Sequence, residues 1–220
     1  NQDVRYYLNG LMLEIFNRKL KLVASDGHRL SIYKDEMEVE TGYEERIIIP
    51  RKGVIELARL LDDPEAELNV QFSSNNLRVY IKDLIFSAKL VDAKYPDFSK
   101  VFDQAFFNPI IIPKQQFKET LTRVSVLANE KFKGVTFDIS DNLLKITTHN
   151  PEHDEGEEEL AIDYQGEPLI IAFNAAYLLD AIANLDGDKA SLTIAANASS
   201  CFIEEPNQDA YKFIVMPMRL

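Results

Sequence analysis

The sequence predicts an α+β fold in which one strand–helix–three-strand unit recurs. Three observations carry this. Three apolar runs, Ile47-Ile48-Ile49-Pro50, Ile110-Ile111-Ile112-Pro113 and Leu169-Ile170-Ile171-Ala172-Phe173, each lead into residues with helical spacing. Those residues are Val54, Leu57, Ala58 and Leu61; Phe117, Leu121, Val124 and Ala128; and Tyr177, Leu178, Ala181, Ile182 and Leu185. Each helix is followed by three strand-like runs. The units therefore begin at 47, 110 and 169, a period of about 60 residues that points to a pseudo-symmetric architecture.

Taken in order, residues 4–8, 12–16, 21–24 and 30–33 all read as strands. They look like the strand end of a unit whose helix is missing, so the chain is expected to begin inside a unit and to be a fragment. In the first full unit Pro50 marks the helix start, and strands follow at 68–72, 77–81 and 85–90. In the second, Pro113 opens the helix and strands follow at 135–139, 143–147 and 159–164. In the third, Asn174 is the expected N-cap, and strands follow at 191–195, 200–204 and 211–215. Asn75-Asn76 and Asp141-Asn142 read as turns. Pairing the units gives two domains, 1–97 and 98–220, with a join at Lys94-Tyr95-Pro96-Asp97 and Pro96 as its linker signal. The chain ends on Val215-Met216-Pro217-Met218-Arg219-Leu220, where Pro217 is expected to stop strand pairing. Two polarizable methionines flank it, a surface suited to more than one partner.

The net charge is −12, but it is unevenly spread. Residues 35–45 hold six acids and residues 152–163 hold seven, with no Lys or Arg in either run. With those 13 set aside, 23 acids face 24 Lys and Arg, so the rest of the chain is near neutral and can still carry a basic face. No run of apolar residues is long enough to span a membrane. A single cysteine, Cys201, excludes an internal disulfide and fits a reducing cytoplasm.

Enzyme chemistry finds little support. There is no GxGxxG, no GxxxxGK[ST] and no GxSxG. Ser25, Asp26 and His28 are too close in sequence to align as a catalytic triad, and Asp26-Gly27 reads as a tight hairpin turn that presents His28, Arg29 and Leu30. His149 and His153 flank Pro151, which disfavours the helix that would align them on a metal. The acidic run 152–159 is expected to be a solvated or partner-facing loop. A metal-dependent hydrolase using His149, His153 and this run stays a minor alternative. No catalytic residue, metal or cofactor is assigned.

The cations favour the helices. The first carries Arg51, Lys52 and Arg59 against Glu56, and the second Lys114, Lys118 and Arg123 against Glu119. On one surface they would make a mildly positive track for a phosphate backbone. Arg5-Tyr6-Tyr7 adds a cation and two aromatics suited to a nucleic-acid strand. Nothing reads base edges, so any DNA contact is sequence-independent.

Six motifs in register resemble one family, the beta subunit of bacterial DNA polymerase III, or sliding clamp. They are Arg5-Tyr6-Tyr7-Leu8-Asn9-Gly10, Ser25-Asp26-Gly27-His28-Arg29-Leu30, Pro50-Arg51-Lys52-Gly53-Val54, Lys89-Leu90-Val91-Asp92, Asn129-Glu130-Lys131-Phe132 and the tail from Val215. The resemblance spans the whole chain and corresponds to a subunit lacking its first domain and the start of its second.

It implies the DNA clamp fold, with antiparallel sheets outside and helices on an inner face. Two full-length subunits would close into a homodimeric ring around double-stranded DNA, whereas the fragment is expected to be monomeric. The resemblance also implies DNA contacts at Arg5, Tyr6, Tyr7, Arg51, Lys52, Lys114, Lys118 and Arg123. A partner-peptide pocket, between the second and third domains in the family, would use Leu8, Ser25, Gly27, His28, Arg29, Leu30, Pro96, Val101, Asn174, Tyr177, Ser200, Ile214, Val215, Met216, Pro217, Met218 and Arg219. Ser25 stands where Thr is usual, Lys100 where Arg is, and Ala198 where a larger apolar residue is. Val126, Leu127, Glu155 and Glu158 would be half of the subunit interface. The implied function is a non-enzymatic processivity factor. It would tether the polymerase III catalytic subunit, the clamp loader, other polymerases and repair proteins through short peptides. A generic peptide-binding module is the alternative.

Overall fold

A computed structural model describes residues 5–38, 40–63 and 66–219. Val4 and Leu220, the first residue of an expected strand and the last of the tail, lie outside the described residues. The chain forms two compact units, Asn1–Asp97 and Phe98–Leu220.

The first unit opens with a 3-10 turn at Tyr6–Leu8. It continues through β1 (Gly10–Phe16), β2 (Lys19–Ser25), β3 (Arg29–Glu36), β4 (Glu44–Pro50), α1 (Arg51–Leu60), β5 (Asn69–Phe72), β6 (Asn76–Ile81) and β7 (Leu84–Lys89). Its strands run antiparallel in the orders β4-β1-β2-β3 and β5-β6-β7. Ile47, Ile49, Leu77, Val79, Ile81 and Leu90 form its core, with Val54, Leu57 and Leu60 of α1 laid over them.

The second unit starts with a 3-10 turn at Ser99–Val101. It then holds β8 (Ile110–Pro113), α2 (Lys114–Ser125), β9 (Gly134–Ser140), β10 (Leu143–His149), β11 (Glu155–Ala161), β12 (Leu169–Asn174), α3 (Ala175–Ala183), β13 (Lys189–Ile194), β14 (Cys201–Glu204) and β15 (Tyr211–Val215). Its antiparallel orders are β8-β13-β14-β15 and β11-β10-β9-β12. The helices α2 and α3 pack on each other and over the sheets. Phe117, Leu121 and Val124 of α2 and Leu178 and Ile182 of α3 are buried against Ile112, Phe137, Ile146, Phe173, Leu192 and Ile203. Phe137 holds both Phe117 (centroids 5.9 Å apart) and Phe173 (5.3 Å). Each such side chain contributes roughly 1.5–3 kcal/mol on burial. Cys201 lies in this core, and burial pushes its thiol well above the ordinary range.

Two backbone ties recur in every complete repeat. The first helical N–H bonds to the carbonyl just ahead of the strand paired beside it: Arg51 to Asn9 (2.9 Å), Lys114 to Asp188 (2.8 Å) and Ala175 to Lys133 (2.8 Å). After the third strand, the chain crosses back and donates an N–H to the residue three before the helix. Val91 donates to Ile48 (2.9 Å), Asp163 to Ile111 (3.0 Å) and Met218 to Ala172 (2.8 Å). These bonds fix the point where each feeding strand hands over to its helix.

Three expectations are corrected. Residues 6–8 are not a strand. Leu8 N–H donates to Arg5 O (2.8 Å) and Asn9 N–H to Tyr6 O (3.1 Å), closing a 3-10 turn, and pairing starts only at Gly10. There β1 and β4 come so close that a Cβ on residue 10 would sit 2.5 Å from Ile49 O. The acidic run is a loop only at 150–154, where Asn150 and Asp154 close a turn. From Glu155 it is strand β11, paired Glu155 to His149 through Ala161 to Leu143. Its other side is a sheet edge, where charges are tolerated because they meet water. The strand expected at 159–164 is thus displaced toward the N-terminus, and Ile162 to Tyr164 form the crossing segment. Lastly, Pro217 does not end all pairing of the tail. β15 does end at Val215, ahead of Pro217 as expected, but beyond the proline Met218 makes one further bridge, to Ala172 of β12.

Met218→Pro, which removes the donor facing Ala172 O, is expected to cost about 1–3 kcal/mol of stability. Met218→Leu, which keeps it, should cost much less, both read by denaturant unfolding.

Candidate functional site

In the first unit the candidate residues gather around the turn that joins β2 to β3. Gly27 has φ +85°, a conformation that a Cβ disfavours, and such a Cβ would also strike the Arg5 guanidinium. Asp26 organises the turn. Its Oδ1 accepts from the His28 and Arg29 amides (both 3.0 Å), and its Oδ2 accepts from Arg29 Nε (3.0 Å). Ser25 Oγ donates to Arg29 O (2.8 Å) and accepts from Gly27 N–H (3.1 Å). Arg5 closes the turn from outside, donating to Asp26 O (3.2 Å). Ser25, Gly27, His28 and Arg29 are therefore fixed relative to one another, with Leu30 the next residue into β3.

Burial raises the Asp26 pKa, but the His28 and Arg29 amides and the Arg29 guanidinium outweigh it, so the carboxyl lies below its ordinary value. Leu8 ends the 3-10 turn half-buried, and Pro96 is exposed. Tyr95 lies beside the Ser25 backbone. Burial pushes its phenol up to about 12, against a smaller opposing effect of the Ser25 backbone.

In the second unit a cluster forms at the start of α3. Asn174 caps the helix, its Oδ1 accepting from the amides of Ala176 (2.9 Å) and Tyr177 (3.4 Å). Its Nδ2 donates to Phe132 O (3.1 Å), which ties the cap to the loop before β9. Asn129 rigidifies that loop, its side chain accepting from the Lys131 and Phe132 amides. Phe132, 53% exposed beneath the Lys131 ammonium, is a candidate that sequence reasoning quoted in a motif but gave no role.

The tail joins the same neighbourhood. Ile214 and Val215 are buried, Met216 is 47% exposed, and Met218 pairs two residues upstream of Asn174 with its sulfur over Gly134. Pro217 is half-buried and Arg219 exposed. Val101 and Ser200 are joined to each other through Gln104, which hydrogen-bonds both.

The cations are unequal. Arg51 and Lys52 are exposed in the first turn of α1, and Lys118 is exposed on α2. Tyr6 and Tyr7 stand edge to face at 6.0 Å. Lys114 instead donates to Leu185 O, and Arg123 makes a bidentate pair with Glu158 (2.6 Å for both bonds). A residue expected at DNA is thus bound to one expected at the subunit interface. Of the rest of that set, Val126 is 77% exposed, Leu127 lies over Gly156, and Glu155 is exposed at the start of β11. Among the described residues no group of three or more His, Cys, Asp or Glu could hold a metal ion.

Because the Asp26 carboxyl is depressed on folding, its contribution is present above the ordinary value of 3.8 and lost as the pH falls below it. Asp26→Asn should therefore flatten the acid limb of a Tm-against-pH profile.

Comparison with known proteins agrees along the whole chain. Residues 1–97 match the central domain and residues 99–219 the C-terminal domain of the DNA polymerase III beta subunit. The beta sliding clamp of Pseudomonas putida is 38% identical over 219 residues and that of Escherichia coli K12 40% identical over 220, each match covering 100% of this chain and 60% of the relative. A crystal structure of the sliding clamp from Pseudomonas aeruginosa with ligand superposes with a TM-score of 0.97 at 37% identity, over 100% of this chain and 60% of that one. The beta subunit from Thermotoga maritima gives 0.91 at 28% identity, over 98% and 58%. This chain spans about 60% of the length of the curated relatives it matches. With two successive domain models matched and the same fold throughout, it belongs to the DNA polymerase III beta subunit family, the sliding clamps.

Proposed function

We propose that this chain is the central and C-terminal part of a processivity clamp. In this reading it is a non-enzymatic, cytoplasmic protein that, with a further domain, forms a homodimeric ring around duplex DNA. It tethers the polymerase III catalytic subunit, the clamp loader, other polymerases and repair proteins. Its family membership supports this, as does the match of the two domain models to the central and C-terminal domains.

The observation that carries the reading is the tail. Met218 is tied by its backbone to β12 while Met216 stays half-exposed. A fixed strand-like segment with a soft apolar side chain suits partners that insert a short linear peptide. The Ser25–Leu30 turn and the Asn174, Tyr177 and Phe132 group are the two further clusters assigned to that role. Two buried apolar anchors of the peptide would each contribute roughly 1.5–3 kcal/mol, less the cost of ordering it.

DNA contact is assigned to Arg5, Tyr6, Tyr7, Arg51, Lys52 and Lys118. Arg5, Lys114 and Arg123 would reach it by exchanging their present partners. Topology rather than affinity would hold such a ring on DNA, and weak, salt-sensitive contacts let it slide.

Titration calorimetry with a clamp-binding peptide from a polymerase III catalytic subunit should give a Kd of about a micromolar, near −8 kcal/mol. Absence of binding up to millimolar peptide would falsify the reading and leave a generic interaction module. Met216→Ala, which spares the Met218 tie, should weaken binding about tenfold, or roughly 1.4 kcal/mol, with little change in Tm.

A further inference from the structure

Strand β11 has little apolar packing of its own. It buries one side chain, Leu160, whereas β9 and β10 bury three each. The register shows why. Leu160 stands opposite Leu144 and Glu158 opposite Ile146, so these two and Gly156 share the core face. Glu155, Glu157 and Glu159 alternate onto the outer face, opposite His149, Thr147 and Lys145. Ahead of Leu160, then, the core-facing positions hold a glycine and a carboxylate. On the outer face three acids repel one another at steps of about 7 Å. The strand is also an edge, paired on one side only. Composition alone would leave it loose, yet it keeps register with β10 from Glu155 to Ala161.

Two cations from different elements act against that repulsion. From α2, Arg123 grips both oxygens of Glu158 (2.6 Å for each bond) on the core face. Its Nη2 also donates to Thr120 Oγ1 (3.3 Å), and Thr120 is buried, which aims the guanidinium. A bidentate pair of this kind fixes orientation as well as distance. From β10, Lys145 reaches Glu157 (2.8 Å) on the outer face, opposite Glu159 on one side and Asp138 of β9 on the other. The Arg123 bonds hold the Glu158 carboxyl below its ordinary value, and the Glu157 bond holds the Lys145 ammonium above its own.

We propose that β11 is a conditional edge strand, held in the sheet by Arg123 on its core face and by Lys145 on its outer face. With both cations in place it is a paired edge. When either is drawn to another anion the strand frays from its N-terminal end, because Leu160 anchors only the other. The sheet then ends there in a loose acidic segment instead of a straight edge. The device needs neither a bound peptide nor DNA.

Hydrogen exchange at residues 155–161 of the full 220-residue chain tests this. Arg123→Gln and Lys145→Gln should each quicken exchange there about fivefold, in keeping with exposed ion pairs of good geometry. The double variant should quicken it about twenty-five-fold, since pairs on opposite faces act independently. Residues 134–140 of β9 should keep their rate in all three. Arg123→Lys, which restores the charge without the fork, should recover part of the protection. Glu155→Gln, which removes an exposed acid outside both pairs, should slow exchange. Wild-type exchange of β11 in both single variants would overturn the proposal. Equal quickening of β9 would do the same, because the pairs would then be general supports of the fold. Quickening by Glu155→Gln would also overturn it.

Discussion

The arrangement depends on one backbone hydrogen bond made three times. Val91, Asp163 and Met218 each donate to the carbonyl three residues before a helix. A strand that feeds a helix is otherwise held on one side only, by its ladder partner. The crossing segment supplies the other side, and the helix then leaves the sheet at a fixed point. Near-equal bond lengths at all three sites, despite unlike side chains, show that the repeat is conserved in backbone geometry rather than in residue type. The tail takes its order from this. It occupies the crossing position that Asp163 fills in the preceding repeat. Its exposed methionine is therefore displayed by a rigid frame rather than by a loose end.

How much was legible follows from where the information sits. The repeats could be read because apolar spacing alternates between strand and helix periods, and side chains set those periods. The Asn174 cap could be read because a side-chain amide does the capping. The recurring ties could not, since every residue carries an N–H and a C=O. Strand β11 was obscured because its edge position removes the usual penalty on charge. Glu158 pairs with Arg123 across 35 residues, and Gln104 with Ser200 across 96. Neither separation leaves a local pattern. The 3-10 turn at Tyr6–Leu8 was hidden because aromatic and apolar residues favour strands as readily as they fill a turn.

Two kinds of order meet in the candidate residues. The Ser25–Arg29 turn is held by a half-exposed carboxylate and polar side chains, so it depends on charge state. The Asn174 and tail group is held by backbone bonds and a helix cap, which are indifferent to pH near neutrality. The turn should therefore loosen as acid is added while the Asn174 and tail group keeps its shape. The pairing of Arg123 with Glu158 has a similar logic. It joins α2 to the acidic edge strand, so a cation on the helix steadies that edge instead of standing ready for phosphate.

The central claim is that the tail is preformed, tied into the fold before any partner arrives. Amide hydrogen exchange of Met218 in the free chain tests it most directly. The account predicts protection comparable to that of Val91 and Asp163, its counterparts in the other repeats, because all three amides make the same backbone bond. Exchange of Met218 at the rate of an unstructured terminus, with Val91 and Asp163 protected, would contradict it.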